Sequence, residues 1–459
     1  MKGVDTMFFQ QFYDQKLAQT SYMVGCQKTN EAIIIDPKRV LDEYEEVAKR
    51  EGFTITHATE THIHADFASG LRDAARRFGA TLFVSDEGDE NWKYKNMPSD
   101  TVFLKDGDSI HIGHVELKVM HTPGHTPESI SFILTDHGGG SSEPMGMFTG
   151  DFIFVGDIGR PDLLEEAAKM EGTTEEGANA MFDSVQKLND FPDFLQIWPG
   201  HGAGSACGKS LGAVPLSTLG YERHNNWAFQ IKDRKRFIEE LTSDQPEPPL
   251  YFAQMKKVNK VGLPLFEVKE LDIGIPEKFT GQILDLRTKE DFAKGFKNGS
   301  INIPYNDTFV QYAGWFVQYD VPMTVIANPA DAVEIQKDLA SIGFDQLERI
   351  IPIQEAEAIF DDAYEHITPE QFKEIYKKIN ILDVRTTAEH KVANVQKATH
   401  IHYGHLLNST IPFPKETPLY VHCQSGVRSA IAISALKKLG YNNVINVLSG
   451  YNGIRAVMK

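Results

Sequence analysis

The order of apolar and polar positions along the chain predicts an α/β protein. In the first 240 residues, short apolar runs of strand length alternate with stretches of helical spacing. Helices are predicted over residues 40–50 and 65–78, and strands over residues 32–35, 115–120, 130–134, 147–149 and 195–198. This part of the chain is therefore expected to form a mixed α/β layer architecture.

The pattern changes after residue 242 and then repeats. Residues 242–250 are rich in proline and polar residues and have almost no apolar periodicity, which is typical of a linker. Beyond them, ILDLRTKEDF around Asp285 recurs as ILDVRTTAEH around Asp383, about 97 residues further on. Each copy alternates strand, helix, strand and helix, so a tandem duplication with parallel strands is predicted.

The last helix of the second copy is clear from its periodicity. It is expected to begin just after Arg428 and to end at Gly440, because apolar residues recur with helical spacing at Ala432, Ala435, Leu436 and Leu439.

Composition and charge exclude several classes of function. The 459 residues suffice for about three domains. Lysine and arginine total 46 against 64 acidic residues, a net charge of −18, which argues against nucleic-acid and anionic-membrane binding. No apolar window is long enough for a membrane span and no secretory leader pattern begins the sequence, so a cytoplasmic protein is expected. Three cysteines exclude a disulfide framework and favour a reducing compartment.

Four short polar motifs in the N-terminal region each follow an apolar run. Because the ends of neighbouring strands meet at one edge of a sheet, these motifs should lie close together. Imidazole and carboxylate ligands suit zinc or iron, and their number leaves one or two metal ions open. The motifs are THIHADF at residues 61–67, TPGH ending at His125, TGD ending at Asp151 and PGH ending at His201.

These motifs resemble those of the metallo-β-lactamase fold, an αββα sandwich, and in particular its glyoxalase II-like branch, which contains the persulfide dioxygenases. The resemblance covers about residues 1–233. The family motif HxHxDH is matched at His62, His64 and Asp66, but Phe67 replaces its last histidine. In two-metal members that histidine is a ligand of the second metal, so the resemblance implies a single-metal site.

By the same resemblance, one Fe(II) per chain would be held by His62, His125 and Asp151 as a 2-His-1-carboxylate triad. His64, Asp66 and His201 would then orient the ligands or accept hydrogen bonds, or they would be vestiges of a second metal site.

Three further residues of this region are candidates for function. Arg160 lies in GDIGRPDL, a segment that also matches the persulfide dioxygenases, and would bind the anionic tail of a substrate or form a surface ion pair. Cys207 lies six residues after His201 in a glycine-rich stretch. Cys207 would carry sulfane sulfur, control substrate access, or be a small packed residue without a chemical role. Cys26 is expected to be a core or turn residue.

A second chemical motif, CQSGVR, begins at Cys423 between an apolar strand and a helix. Backbone N–H groups around the sulfur, a helix N-terminus and Arg428 would stabilise a thiolate or a persulfide anion. Together with LDVR at residues 382–385 and LSGY at 448–451, the motif resembles the rhodanese family of sulfurtransferases over about residues 368–459. A phosphatase of related architecture is the alternative, but its loop normally holds one more residue between cysteine and arginine.

The first copy of the repeat lacks this chemistry. It has Ala327 in place of the cysteine and no arginine at the end of the loop. We expect an inactive rhodanese-like domain that serves packing or interdomain positioning, with a binding role for residues 328–332 as the alternative. The predicted map is thus a persulfide dioxygenase domain at 1–245, a linker at 246–260, the inactive domain at 261–355 and an active rhodanese at 366–459.

The whole chain therefore resembles the persulfide dioxygenase–rhodanese fusions of sulfide detoxification. The resemblance implies that a low-molecular-weight thiol persulfide, of the glutathione, coenzyme A or bacillithiol type, reacts with O₂ to give sulfite and thiol. Cys423 would transfer sulfane sulfur to sulfite and form thiosulfate. A homo-oligomer is expected. The alternatives are a glyoxalase II-like thioester hydrolase fused to a sulfurtransferase, and a non-oxidative sulfur-carrier or persulfide-sensing module.

Overall fold

The computed structural model describes residues 7–163, 165 and 173–458. The first six residues of the predicted N-terminal domain and Lys459 of the predicted C-terminal domain lie outside these residues. The chain divides into two units. The first comprises Met1–Glu267 with Ala340–Gly343, and the second comprises Val268–Leu339 with Phe344–Lys459.

Two sheets of six described strands each form the centre of the first unit. The first sheet has the order β1-β2-β3-β4-β5-β6, and the second has the order β12-β11-β10-β9-β8-β7. The strands of the first sheet are β1 (Met7–Asp14), β2 (Gln19–Cys26), β3 (Glu31–Ile35), β4 (Thr54–Thr59), β5 (Thr81–Ser85) and β6 (Val102–Leu104). Those of the second are β7 (Ser109–Ile112), β8 (Val115–His121), β9 (Ile130–Asp136), β10 (Gly146–Gly150), β11 (Gln196–Pro199) and β12 (Ser217–Thr218).

Helices cover the outer faces of these sheets. Those of the first unit are Asp42–Glu51, Leu71–Phe78, Thr173–Lys187, Leu219–Asn225, Trp227–Gln230, Arg234–Thr242 and Phe252–Val261. Alternation along the strands assigns each side chain to a layer, because successive residues of a strand point to opposite faces. In β3, Ile33 packs between the two sheets, whereas Ile34 packs against the helices on the outer face of the first sheet. A third apolar cluster lies between the second sheet and its helices. The unit is an αββα sandwich, as predicted.

The segment predicted as a linker differs from the expectation. Residues 252–260 of the predicted linker, 246–260, form most of the helix Phe252–Val261, and this helix belongs to the first unit. Asn259 of this helix donates its side-chain amide to the carbonyls of His64 and Phe67, at 2.8 and 2.7 Å. Proline and polar residues before the helix obscured its apolar face in the sequence.

The second unit holds two parallel sheets of five described strands with equivalent strand orders. These orders are β13-β17-β16-β14-β15 and β18-β22-β21-β19-β20, so the duplication seen in the sequence is present in the topology. The strands are β13 (Asp272–Ile273), β14 (Gln282–Asp285), β15 (Ile301–Asn302), β16 (Met323–Ala327), β17 (Leu347–Pro352), β18 (Glu365–Ile367), β19 (Asn380–Asp383), β20 (Thr399–His400), β21 (Leu419–His422) and β22 (Val444–Val447).

The remaining helices flank these two sheets. We call the parts around the first and second sheet of this unit the middle module and the C-terminal module. The helices are Lys289–Lys294, Phe309–Ala313, Ala332–Ser341, Ile353–Ala356, Pro369–Ile375, Thr387–Val392, Val427–Lys438 and Gly450–Val457. Across the described residues, no helix combines the length and apolar composition that crossing a membrane requires.

Candidate functional site

The ends of four strands bring the predicted metal ligands together. His62 follows β4, Asp151 follows β10, His201 follows β11, and His125 lies in the turn between β8 and β9. One ligand atom from each of His62, His125 and Asp151 lies within 4.8 Å of the other two. The sequence argument from strand ends therefore places these three side chains correctly relative to one another.

A glycine allows this close approach. Gly150 ends β10 with φ at +50°, and a Cβ there would lie 2.2 Å from Thr61 Oγ1. Only glycine fits at this point, because the backbone of residue 150 is left-handed and the side chain of Thr61 occupies the space that a Cβ would need. Gly150 therefore sets Asp151 directly beside the loop that carries His62.

Two of the three ligand side chains present unpartnered buried atoms. His62 Nε2 and Asp151 Oδ2 are buried, and neither has a hydrogen-bond partner among the described residues. Asp151 Oδ2 lies 3.9 Å from His62 Nε2 and 3.5 Å from His125 Nε2. Since buried polar atoms are almost always paired, atoms left open around one point fit a bound cation. Two imidazole nitrogens and one carboxylate oxygen are the donors of a mononuclear non-heme iron site.

The opposite nitrogens of the two imidazoles are engaged. His125 Nδ1 lies 2.8 Å from the carbonyl oxygen of Arg160, and His62 Nδ1 lies 2.9 Å from Thr61 Oγ1. Burial lowers the pKa of both imidazoles. Both histidines are therefore favoured as neutral rings that turn Nε2 towards the metal.

His201 is held between two carboxylates. Its Nδ1 lies 2.6 Å from Asp151 Oδ1, and its Nε2 lies 2.5 Å from Asp66 Oδ2. Burial alone would lower the pKa of His201, but Asp151 and Asp66 outweigh burial and raise it well above its ordinary value. A charged His201 engages Oδ1 of Asp151 and leaves Oδ2 for the metal.

His64 is paired away from the candidate metal. Its Nε2 lies 2.9 Å from Asp36 Oδ1, and the ring of Phe67 lies 4.3 Å away between centroids. Although burial lowers the pKa of His64, the Asp36 carboxylate raises it to about 9. His64 is therefore a cation bound to Asp36, with a buried phenyl ring at the position of the missing ligand.

Cys207 lies beside this centre. Its Sγ, one carboxylate oxygen of Asp66 and one ring nitrogen of His201 lie within 4.8 Å of one another. Burial raises the pKa of the Cys207 thiol well above its ordinary value, and the charges of Asp66 and Asp151 act in the same direction. The structure therefore favours a neutral thiol at the metal edge, where the glycine-rich sequence suggested it.

The second candidate site is the loop between β21 and the helix Val427–Lys438. The fully buried Sγ of Cys423 accepts the N–H of Gly426 at 3.0 Å. Gly426 has φ at +103°, which brings its N–H back to the sulfur. The helix begins one residue before Arg428 rather than after it.

The guanidinium group of Arg428 is paired with a carboxylate beside the loop. Its Nη1 and Nη2 donate to the two carboxylate oxygens of Glu389, at 2.6 and 2.8 Å. Burial raises the pKa of Glu389, but Arg428 outweighs it and lowers that pKa to about 2. The expected direct partnership of Arg428 with a persulfide anion stays a prediction, and the structure adds Glu389 to the loop.

A solved structure shows the family to which the chain belongs. A crystal structure of a metallo-beta-lactamase from Staphylococcus aureus subsp. aureus COL is 51% identical, with a TM-score of 0.71. The match covers 75% of this chain and 99% of that one. The chain belongs to the metallo-beta-lactamase superfamily. The pattern of that superfamily matches residues 15–201, and the pattern of the rhodanese-like domain matches residues 368–456.

Named relatives of the metallo-beta-lactamase domain include persulfide dioxygenases and hydrolases. The mitochondrial persulfide dioxygenase ETHE1 of Bos taurus is 27% identical over 202 residues, which are 42% of this chain and 68% of that protein. A hydroxyacylglutathione hydrolase of Rhodospirillum rubrum is 29% identical over 180 residues, which are 39% of this chain and 60% of that protein. The architecture of a metallo-beta-lactamase domain followed by a rhodanese-like domain is thus confirmed.

Arg160 of the metallo-beta-lactamase domain lies inside the protein and not at its surface. Its side chain is buried and donates from Nε and Nη2 to the two oxygens of Asp162, both at 2.6 Å. Nη1 donates to the carbonyls of Ala206 and Pro246. Substrate binding by Arg160 stays a prediction, and the geometry favours support of the centre through its carbonyl contact with His125.

Sequence reasoning missed Asp36, which organises the metal-centre loop. Asp36 Oδ1 accepts the backbone N–H of Thr61 at 2.7 Å as well as the proton of His64 Nε2. The available signal was its position directly after β3, at the same strand edge as the ligands. A single aspartate between isoleucine and proline carries no motif, so only the fold shows its partners.

The middle module repeats the scaffold of the C-terminal module without its nucleophile. Asp285 and Arg287 form a buried ion pair at 2.6 Å, as Asp383 and Arg385 do at 2.6 Å. At the end of β16, however, Ala327 stands where Cys423 stands at the end of β21. The two modules therefore share a core and differ in chemistry.

Proposed function

We propose that the chain is a persulfide dioxygenase joined to a sulfurtransferase. Its first reaction would be RSSH + O₂ + H₂O → RSH + SO₃²⁻ + 2H⁺, in which the terminal sulfur is oxidised and O₂ is reduced. The substrate would be a low-molecular-weight thiol persulfide. The observation that carries the proposal is the set of unpartnered buried atoms on His62 and Asp151 beside His125, in a chain where Phe67 replaces a ligand of a second metal.

His62, His125 and Asp151 would hold one Fe(II). When bound, ferrous iron would supply open positions at which sulfur and O₂ can meet. The protein's own contribution is orientation and charge. The carbonyl of Arg160 fixes the ring of His125, and His201 holds its proton at Oδ1 of Asp151.

The second reaction would be sulfur transfer at Cys423. Sulfite would attack the outer sulfur of a Cys423 persulfide, and the electron pair of the broken S–S bond would return to the Cys423 thiolate. The N–H of Gly426 would stabilise that thiolate, as its contact with Sγ allows. Thiosulfate would leave, and the two reactions would together detoxify persulfide in the cytoplasm.

Thioester hydrolysis is the second candidate, favoured by the similarity to the Rhodospirillum rubrum hydroxyacylglutathione hydrolase. A metal-activated water would attack a thioester in the same cleft. The phenyl ring of Phe67 counts against it, because it removes a donor for a second metal.

An oxygen electrode distinguishes these functions. The iron-loaded protein is offered the persulfides of glutathione, coenzyme A and bacillithiol, and separately the thioester of glutathione with lactate. We expect O₂ uptake with at least one persulfide and no thioester cleavage. Thioester cleavage without O₂ uptake would establish the hydrolase instead. If the protein shows neither O₂ uptake nor thioester cleavage but transfers labelled sulfur from Cys423, it would be a sulfur carrier.

A further inference from the structure

The loop that carries Cys423 is approached by a lysine from the middle module of the same unit. Lys289 begins the helix Lys289–Lys294. Its Nζ lies 3.6 Å from the position that a Cβ on Gly426 would occupy, and Gly426 donates its N–H to Cys423 Sγ. An ammonium group therefore lies beside the loop that would carry the persulfide.

Arg428 of the loop and Arg385, which follows β19, are already paired within the C-terminal module. Arg428 donates to both carboxylate oxygens of Glu389, and Arg385 forms a buried ion pair with Asp383. Both charges are largely balanced before any ligand arrives. A doubly charged anion such as sulfite would need a further cation at this loop.

The ammonium group of Lys289 is only weakly paired. Among the described residues, its ion-pair partner is Glu290, whose carboxylate lies 3.8 Å away on a side chain that is 66% exposed. Exposed pairs at such distances contribute little and exchange readily with solvent. The Lys289 ammonium group can therefore turn to an anion without breaking a strong contact.

An aromatic contact also joins the middle module to the C-terminal module. Tyr312 packs its ring edge-on against Tyr403 of the C-terminal module, with centroids 5.8 Å apart.

Packing fixes the middle module against the loop's own module. Trp315 lies on Gly404, where an added Cβ would approach Trp315 Cε3 to 2.1 Å. The backbone N–H of Asn302 donates to Ser434 Oγ at 3.1 Å, and both residues are buried. Contacts this close leave the two modules little freedom to slide, so the helix that begins at Lys289 is held beside the Cys423 loop.

We propose that the Lys289 ammonium group binds a sulfur oxyanion beside the Cys423 loop. The site would hold sulfite before transfer and thiosulfate after it. This inference rests on the sulfur transfer proposed above and assigns a binding role to a module that has Ala327 in place of the nucleophile. It locates the role at a residue outside residues 328–332.

In the transfer step, the site would balance the charge of sulfite and position it beside the Cys423 persulfide, without taking part in bond making. Sulfite's sulfur forms a bond to the outer sulfur of the Cys423 persulfide, and the bond between that sulfur and Cys423 breaks. The electron pair stays on Cys423 as a thiolate, so no external oxidant or reductant is needed. Lys289 would offset repulsion between the dianion and the persulfide anion.

The kinetic test uses the full-length protein under anaerobic conditions, with Cys423 loaded from the persulfide of 2-mercaptoethanol, whose organic part carries no charge. Transfer is then measured to sulfite and, separately, to dithiothreitol, a dithiol that carries no permanent charge. We expect Lys289→Gln to raise the KM for sulfite about tenfold, the size of one lost charged hydrogen bond. Transfer to dithiothreitol should not change in this variant.

Two further variants separate binding from folding. Lys294→Gln alters the same helix at a side chain that is 76% exposed and pairs with Asp291, so its sulfite KM should equal that of the wild type. Lys289→Arg should restore most of the sulfite affinity. An unchanged sulfite KM in Lys289→Gln, or an equal loss with both acceptors, would overturn the proposed site.

A binding measurement keeps this test independent of turnover. Calorimetry with thiosulfate on the Cys423→Ser protein should show binding that weakens about tenfold when Lys289→Gln is added. If the wild type transfers no sulfur to either acceptor, the proposed sulfurtransferase function fails, while thiosulfate binding dependent on Lys289 would still support the anion site. Binding that is absent, or identical with and without Lys289, would refute it.

Discussion

Position 67 carries a phenyl ring where the resemblance implies a histidine ligand in two-metal relatives. Phe67 is buried, and its ring packs against His64 at 4.3 Å between centroids. Its neighbour Asp66 has Oδ2 at 2.5 Å from His201 Nε2, and these two residues form with Cys207 a second group of possible ligands. The metal content of the protein therefore tests what the phenyl ring does to the site.

The first prediction concerns the metal. The purified protein should hold about one iron per chain, and Asp151→Ala should lose iron and O₂ uptake together, because it removes the only carboxylate of the triad. Elemental analysis and an oxygen electrode measure both. Two tightly bound zinc ions in the active protein would contradict the single-iron site.

Cys207 supports a second prediction. Cys207→Ser should slow persulfide oxidation several-fold and leave iron content unchanged, because Sγ lies beside Asp66 and His201 but not within the iron triad. Iron analysis and O₂ uptake are compared with those of Cys26→Ala, a thiol buried between the two sheets away from the centre. A rate equal to that of the wild type would mean that Cys207 only packs.

At the scale of single residues, the sequence motifs of the candidate metal site could be predicted, but the ion pairs between side chains could not. His62, His125 and Asp151 could be predicted because each follows an apolar run beside glycine or threonine, and strand ends share an edge. The pairing of Arg428 with Glu389 joins residues 39 positions apart, and no local pattern reports it. Its cause is the approach of two helices in the folded module.

Among the elements, β10 has an end that tolerates only glycine. A methyl group on Gly150 would overlap Thr61 Oγ1 at 2.2 Å in a left-handed backbone. The strain would fall on the loop that carries His62 on one side and on Asp151 on the other. Stability and metal binding should therefore be coupled at this position.

A third prediction tests that coupling. Gly150→Ala should destabilise the protein by about 3 kcal/mol, from left-handed strain plus overlap, and should lower iron content. Gly107→Ala is the matched control, with φ at +88° and nothing within 4 Å of the added Cβ, and should cost about 1 kcal/mol without loss of iron. Denaturant unfolding and iron analysis report the two effects. Equal iron loss in both variants would contradict the proposed contact.

Element prediction was accurate where periodicity was strong and failed where composition was misleading. The strand predicted at 115–120 matches Val115–His121 within one residue, and the helix predicted at 40–50 matches Asp42–Glu51 within two residues. The helix predicted from residue 65 begins at Leu71 instead, because residues 65–70 serve the metal loop. The helix Phe252–Val261 follows three prolines and was interpreted as linker.

For the molecule as a whole, the two proposed reactions should be separable by mutation. The fourth prediction is that Cys423→Ser keeps O₂ uptake and iron content, while the main product shifts from thiosulfate to sulfite. A serine hydroxyl cannot carry sulfane sulfur at neutral pH. The middle module cannot compensate, since Ala327 occupies the equivalent strand end.

Product analysis by ion chromatography measures this shift, with added sulfite and persulfide alone as the chemical control. Arg428→Ala should act in the same direction but less completely, because it leaves Glu389 without its partner and the loop less ordered. Thiosulfate formed by Cys423→Ser as fast as by the wild type would show that the C-terminal module is not the transferase.

The paired ions in the two modules bear on the history of the chain. The middle copy has neither the cysteine nor the loop arginine, yet it holds Asp285 and Arg287 in the geometry of Asp383 and Arg385. Losing one partner of a buried pair leaves an uncompensated charge and costs about 3–5 kcal/mol, and this penalty is the same in a copy with or without a nucleophile. Selection on folding alone therefore suffices to keep LDLR, so LDLR indicates the fold, whereas sulfur-transfer chemistry has to be inferred from the cysteine of the loop.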